Sequence, residues 1–478
     1  MDRTWQFKYI SMVSILSVLS IGIAFLIVGS ISSKDTLNPE YNPPLTCESN
    51  SLMLNKTSKL VLAHYMIQYI DIGIDVESYK KEIRMASRYG IDGFAVNCGA
   101  DFMNYRQQLD NIFTAADQLL NENVIFTNQP FKLTLSLDTD HFLQAKNPIL
   151  EMIKFYSMYQ NRKSYLTDTM GIPILTTFGG DTIDWTTFKQ NIKRDIKLYV
   201  NLFRIPKSTD QLIPIDGIFS WPPQGGSIND PIAPKMQQIS KLNNKSYMTC
   251  KFDLLIVDIT PAFYSHQPFK NQAFHEYNIY KNWRSVIKSQ PDIIELVTWN
   301  DFTESTYFFD PIPNQSQSIT LHPFVMNVNG RSHTAFLQLS FYFIHEYKFG
   351  RQPCVQEDLL FYWYRTHFVD SVASNDAIPK PTFDVGLPVD PMTDTIYLCL
   401  WSMKDTGTVT VHTGSSSSSF VLVQGWNYFE TSPFQVGFPK IVWERDGHIV
   451  IESKGSIEII DTPVVYDFNY HSMYVTSK

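Results

Sequence analysis

Short apolar runs alternate with amphipathic ones from Lys59 to Lys348, and no other feature narrows the possible fold so far. KLVLAHYMI is followed by DVESYKKEIRMASRYG, where Val76, Tyr79, Ile83 and Ala86 recur at helical spacing. Asp75 is placed to cap that helix and Gly90 to end it. IDGFAVNCGA, FKLTLSLDTD, IPILTTFGG, PIDGIFSWPP, KFDLLIVDITPAFY and IIELVTWNDF read as further strands. NYRQQLDNIFTAADQLL, NPILEMIKFYSMY, TTFKQNIKRDIKLYV, PKMQQISKL, YNIYKNWRSVIKS and TAFLQLSFYFIHEYK read as the intervening helices. Buried strands alternating with helices build parallel α/β architecture. No phosphate-binding glycine loop follows the first strand, so a TIM-like (β/α)8 barrel over 59–370 is expected rather than a doubly wound sheet.

The period changes near Thr393. DTIYLCLWSM, GTVTVHTG, SFVLVQGWNYFE, KIVWERDG and HIVIESKGSIEII alternate at period two between turn residues, which predicts an all-β sandwich over 393–478 after a linker at 371–392. The serine run Gly414–Ser419 reads as a hairpin loop.

The N-terminus points to a compartment. Residues 9–30 are uncharged and mostly apolar, and nineteen helical residues span roughly 28 Å, close to a bilayer core. Arg3 and Lys8 precede the run, so 1–8 is expected as a cytosolic tail and the remainder of the chain as luminal or outside. A signal-anchor and a signal peptide cleaved after Val28-Gly29-Ser30 both fit. Either one means the secretory pathway, as an extracellular or wall protein or a single-pass type II membrane protein. Sequons at Asn55, Asn244 and Asn314 agree, and 31–58 reads as a linker. Five scattered cysteines form no disulfide framework. A formal charge of −8 without a basic stripe argues against a nucleic-acid partner. The sequence contains no HExxH, CxxC, Walker or GxGxxG motif, so neither metal nor cofactor is expected.

Chemistry in a barrel collects at the C-terminal strand ends. Those ends present His64, Asn97, Asp138, Trp221, Tyr264, Trp299, Asn300, Asp301 and Glu304. Carboxylates beside aromatic rings and amides suit a sugar, whose C–H faces stack on rings while acids and amides take its hydroxyls. Asp301 and Glu304 would point to opposite faces if the strand continued. They can share a substrate only if the chain leaves the sheet near Asn300 and turns. Two close carboxylates divide into a protonated acid and an ionised base, as glycoside hydrolysis requires.

Taken in order, LAHYM, GIDGFAVN, FKLTLSLD, GIPILTTFGG, DGIFSW, ITPAFYS, LVTWNDFTES, FYWYRTH and YDFNYHSMYV resemble glycoside hydrolase family seventy-one, the fungal-type endo-α-1,3-glucanases or mutanases. The resemblance covers nearly everything after the linker. It implies a barrel plus a β-sandwich and metal-free, inverting hydrolysis of internal α-1,3-glucosidic bonds in a polysaccharide. It also implies Asp301 and Glu304 as the catalytic pair and Asp138 as a third functional carboxylate. His64, Asn97, Trp221, Tyr264, Trp299 and Asn300 are expected to bind substrate. The chain departs from the family pattern at Phe302-Thr303, where Tyr-Gly is common, at Thr306, where His is common, and at Thr334, where Asp is common. Hydrolysis of another α-linked glycan, or binding of glucan without catalysis, are the alternatives.

Overall fold

The computed structural model describes residues 59–69, 73–100, 104–121, 130–202, 214–219, 256–267, 270–273, 278–311, 328, 330–382 and 392–477. The N-terminal tail, apolar segment and linker, the three sequons, Trp221 and the helix expected at PKMQQISKL lie outside them. Among the described residues, no helix is long and apolar enough to cross a membrane.

Eight strands form a curled parallel sheet: β1 (Leu60–Met66), β2 (Gly93–Cys98), β3 (Lys132–Asp138), β4 (Ile174–Phe178), β5 (Lys197–Asn201), β6 (Gly217–Phe219), β7 (Ile256–Ile259) and β10 (Ile293–Leu296). Each pairs with its predecessor, and β1 also pairs with β10. Among the described residues, β6 meets β7 through one pair, Phe219 with Ile256. The hairpin of β8 (Tyr264–Gln267) and β9 (Lys270–Ala273) is inserted before β10.

Helices α1 (Val76–Arg88), α2 (Arg106–Asn121), α3 (Thr139–Phe142), α4 (Pro148–Tyr159), α5 (Trp185–Asn191), α6 (Ile279–Ser289) and α7 (Thr334–Phe349) complete the α/β region. Local chemistry explains their ends. Asp75 caps α1 by accepting from Ser78 N at 3.0 Å, and Gly90, with φ +84°, takes the left-handed conformation that ends it. The segment expected as one long helix at 186–200 divides instead. α5 stops at Asn191, Ile192 is extended, and Lys197–Asn201 pairs between β4 and β6. A short apolar run fits helix or strand equally well by periodicity, and here the two open neighbours decide.

Two four-stranded antiparallel sheets follow. One has the order β15 (Gly425–Glu430), β12 (Tyr397–Ser402), β11 (Leu359–Tyr364), β18 (His471–Thr476). The other runs β14 (Ser416–Val421), β13 (Thr408–Thr413), β16 (Lys440–Arg445), β17 (His448–Lys454). Leu360, Leu398 and Leu400 of the first share an apolar cluster with Val409, Val411, Ile441 and Trp443 of the second.

β11 falls inside the expected barrel span, yet it pairs with β12 and β18. Its other face is covered by α7, through Phe336 on Trp363 and Tyr342 on Phe361. Burial on both faces removes the alternation that would have marked it as a sheet strand of this type. The serine run is a hairpin loop only at Gly414 and Ser415, which turn β13 into β14. Ser416–Ser419 lie in β14, where Ser419 bonds the Thr410 hydroxyl across the ladder at 2.9 Å.

Candidate active site

After Leu296 the chain leaves the sheet and folds back on itself. Thr298 N donates to Thr306 O at 2.8 Å, Phe308 N to Thr298 O at 2.9 Å and Phe309 N to Trp299 O at 3.1 Å. The base of this loop is tied to β1. Trp299 N donates to His64 O at 2.7 Å, and Asn300 brackets Met66, accepting from its N–H at 2.8 Å and donating to its carbonyl at 3.2 Å.

The expected turn is present. Asp301 N donates to Thr298 Oγ1 at 2.7 Å, and Asp301 Oδ1 then accepts from Thr303 N, Thr303 Oγ1 and Glu304 N at 3.0, 2.8 and 3.0 Å. The carboxylate thus serves as the turn's cap and draws Glu304 to its side. Thr303 fits where glycine is common because the left-handed residue of this turn is Ser305, with φ 57°. Asp301 is 4% exposed while Glu304 is half-buried. The hairpin β8–β9 supports the loop from below, with Tyr264 N donating to Glu304 O at 2.8 Å.

Several residues expected to face substrate are committed elsewhere. Trp299 is fully buried, stacked on Phe309 at 5.0 Å, with its indole N–H on Glu82 Oε2 at 3.2 Å. Its ring faces are covered by protein and take no sugar. Tyr264 is also fully buried, packed with Phe468, and its hydroxyl donates to Tyr466 O at 2.6 Å. The Asn300 amide is spent on Met66 backbone. His64 is fully buried, its Nδ1 2.7 Å from Glu295 Oε1 on β10, so it joins two strands. All four are spent on contacts inside the protein, around the candidate site. Asn97 sits at the end of β2, 5% exposed, in register with Met66 and Ser136.

Asp138 ends β3 and caps α3, accepting weakly from His141 N at 3.4 Å. Burial pushes its carboxyl above the ordinary aspartate range, with His141 opposing.

The sequence reading missed Glu82 and Tyr69. Glu82 lies on the buried face of α1, next to Ile83 in the apolar pattern. Burial raises its carboxyl to about 8, against hydrogen bonds from Tyr65 and Trp299. Tyr69 follows β1, and its hydroxyl lies 2.8 Å from Thr303 Oγ1. Burial, then the charge of Asp301, lifts that hydroxyl well above its ordinary value, so Tyr69 keeps its proton. Nothing local in the sequence marks either contact.

The far end of the loop is fastened to the start of α7 and to the segment before β18. Tyr307 stacks on His333 at 4.0 Å and accepts from Asn469 Nδ2 at 3.1 Å, while His333 Nδ1 meets Tyr307 O at 2.7 Å. Asp310 accepts from His333 N and from the hydroxyls of Ser332 and Thr334 at 2.6, 2.6 and 2.7 Å. Thr334 therefore donates to a carboxylate.

The family model of glycosyl hydrolase family 71 matches residues 57–478, and the chain belongs to that family. It is a glycoside hydrolase, as its ordered motifs lead one to expect. It is 27% identical to a mutanase of Penicillium rubens over 442 residues, 90% of this chain and 92% of that protein. It is 26% identical to a glucan endo-1,3-alpha-glucosidase of Schizosaccharomyces pombe, covering 88% of this chain and 96% of the relative. An ascus wall endo-1,3-alpha-glucanase of the same yeast is 24% identical, with 88% and 98% covered.

Proposed function

We propose that this glycoside hydrolase cleaves internal α-1,3-glucosidic bonds of an α-1,3-glucan by inversion, using Asp301 and Glu304. The observation that carries the reading is the turn itself. In a family 71 chain, the backbone N–H of Glu304 rests on Asp301 Oδ1, so one turn at the end of one strand carries both carboxylate residues. The reading takes the ring of eight parallel strands as a (β/α)8 barrel and the paired antiparallel sheets as a β-sandwich, with the site at the barrel's C-terminal mouth.

Three hydrogen bonds onto Asp301 Oδ1 favour the ionised carboxylate and so the base. Asp301 takes a proton from water, whose oxygen attacks the anomeric carbon. Glu304, half-buried beside it, protonates the departing glycosidic oxygen. Inversion needs carboxyl groups roughly 6.5–9.5 Å apart, with the water between them and the sugar. Asp138, whose burial favours the protonated form, assists from β3. The names of the three relatives support the substrate, and the ascus wall enzyme supports a wall glucan. The apolar N-terminal run and the sequons support delivery through the secretory pathway.

The test is incubation of purified protein with α-1,3-glucan and a panel of other α-glycans. Reducing ends should appear from α-1,3-glucan alone, with the β-anomer first by NMR. An α-anomer first would reject inversion, and release from another α-glycan would replace the substrate. Binding without release would reduce the protein to a glucan-binding one.

A further inference from the structure

We infer that Tyr69 and Thr303 form a hydrogen-bond relay that orients Asp301 and holds it in its ionised form, an inference that rests on the proposed role of Asp301 as base. The direction of the relay follows from counting protons. Thr303 has one hydroxyl hydrogen, and it donates to Asp301 Oδ1 at 2.8 Å. The 2.8 Å contact between Tyr69 OH and Thr303 Oγ1 must then be made by the tyrosine proton. The order is Tyr69 O–H to Thr303 O–H to Asp301 carboxylate.

The relay joins two elements far apart in sequence, the end of β1 and the loop after β10. It is held in place from both sides. Thr303 is 9% exposed, and its carbonyl accepts from Gln267 Nε2 on β8 at 3.4 Å. Tyr69 packs against the cluster of Phe302, Tyr307 and Val328. Burial and the charge of Asp301 keep Tyr69 protonated, hence a donor. In such a low-dielectric chain each bond polarises the next, so the second donor strengthens the first. Both residues are positioning residues.

The experiment is the pH dependence of kcat/KM on α-1,3-glucan for the parent, T303V, T303S and Y69F, with D301N as control and a thermal melt of each. T303V, which removes the hydroxyl at nearly constant volume, should move the acid limb up by about half to one pH unit, the size of one lost hydrogen bond. T303S should return the limb to the parent position. Y69F should move it in the same direction by less. An acid limb that stays in place in T303V, with only a lower rate, would overturn the inference. Should T303V fail to fold, Y69F carries the test, since it keeps the ring and loses only the donor, and an unmoved limb there has the same meaning. If D301N is inactive, a negative result falls on the relay alone. If D301N retains activity, the proposed role of Asp301 falls with it.

Discussion

The space between the antiparallel sheets and the mouth of the parallel sheet are built on opposite terms. Between the sheets, Leu360, Leu398, Leu400, Val409, Ile441 and Trp443 interdigitate as a nearly pure apolar cluster. At the mouth, buried space is given to His64, Glu295, Asn300, Asp301, Thr303 and Ser305. Apolar burial is non-directional and tolerates many arrangements of similar volume. Buried polar groups must each find a partner at the right angle, so they dictate one geometry. The sheets therefore supply stability, while the mouth spends it on one fixed geometry around Asp301, the proposed base. Between them lies a seam, Tyr307, His333 and Asn469, where the loop's far end is bolted to the stable part.

This contrast has measurable consequences. The largest is on stability alone. Trp443→Ala should destabilise the fold by about 3–5 kcal/mol, the usual cost of emptying a buried tryptophan site. Well below its melting temperature the variant should retain near-parental kcat. A large loss of kcat in folded Trp443→Ala would show that the two regions are not separable.

Next comes an effect on rate alone. Asp301→Asn and Glu304→Gln should each lower kcat by at least about 100-fold, with little change in melting temperature. The amide introduced by Asp301→Asn would keep the side-chain oxygen that accepts the loop hydrogen bonds, so the turn survives. An activated α-glucosyl fluoride should rescue Glu304→Gln selectively, since its leaving group needs little protonation. Rescue of Asp301→Asn instead would exchange the two roles.

The seam should show both effects at once. Asn469→Ala takes from His333 Nε2 its partner at 2.9 Å and from the Tyr307 hydroxyl one donor, leaving its bond to Arg331 O, and should cost about 1–3 kcal/mol of stability, together with a several-fold drop in kcat. The seam is also sensitive to acid. Burial lowers His333 to about 4, and beside it lowers His367, which accepts from Asp467 N, to about 4 and His471, which accepts from Ser332 N, to about 3. Below the ordinary histidine value the unfolded chain binds protons that the fold refuses. The stability these groups contribute is whole above about pH 6.5 and is lost as pH falls toward 4. Calorimetry between pH 7 and 4 checks this, and a flat melting temperature across the window would contradict it.

The last effect is a slope. Glu82 holds its proton to about 8 in the fold, whereas the unfolded chain releases it near the ordinary glutamate value. Stability attached to Glu82 therefore falls as pH rises through that interval. Glu82→Gln keeps a neutral partner for Trp299 and removes the slope. Its melting temperature should gain on the parent's between pH 5 and 8, and parallel curves would reject a protonated Glu82.

What was readable in the sequence is what short-range chemistry controls. Asp75 caps α1 from three residues away, and the Asp446-Gly447 pair, with φ 51° and 77°, turns β16 into β17 as an Asp-Gly hairpin does. The turn that carries Asp301 and Glu304 was foreseeable for the same reason: the carboxylate and the amides it binds lie within three residues. The misreadings share an opposite cause. Lys197–Asn201 became a strand because β4 and β6 both lay open to it. Leu359–Tyr364 lost its alternation because α7 covers one face and the second sheet the other.

By itself the sequence determined the α/β region followed by antiparallel sheets, the family, and the two carboxylates at the end of one strand. The tertiary structure alone decided that Trp299, Tyr264, Asn300 and His64 are buried inside the protein rather than exposed at its surface. It also decided that Tyr69 reaches Thr303 across 234 residues and Glu82 reaches Trp299 across 217. The reason is physical. A turn is set by hydrogen bonds whose partners are already neighbours along the chain. The exposure of a ring, and the partner of a buried hydroxyl or carboxyl, depend on which distant segments close over them, and that arises only when the whole chain packs.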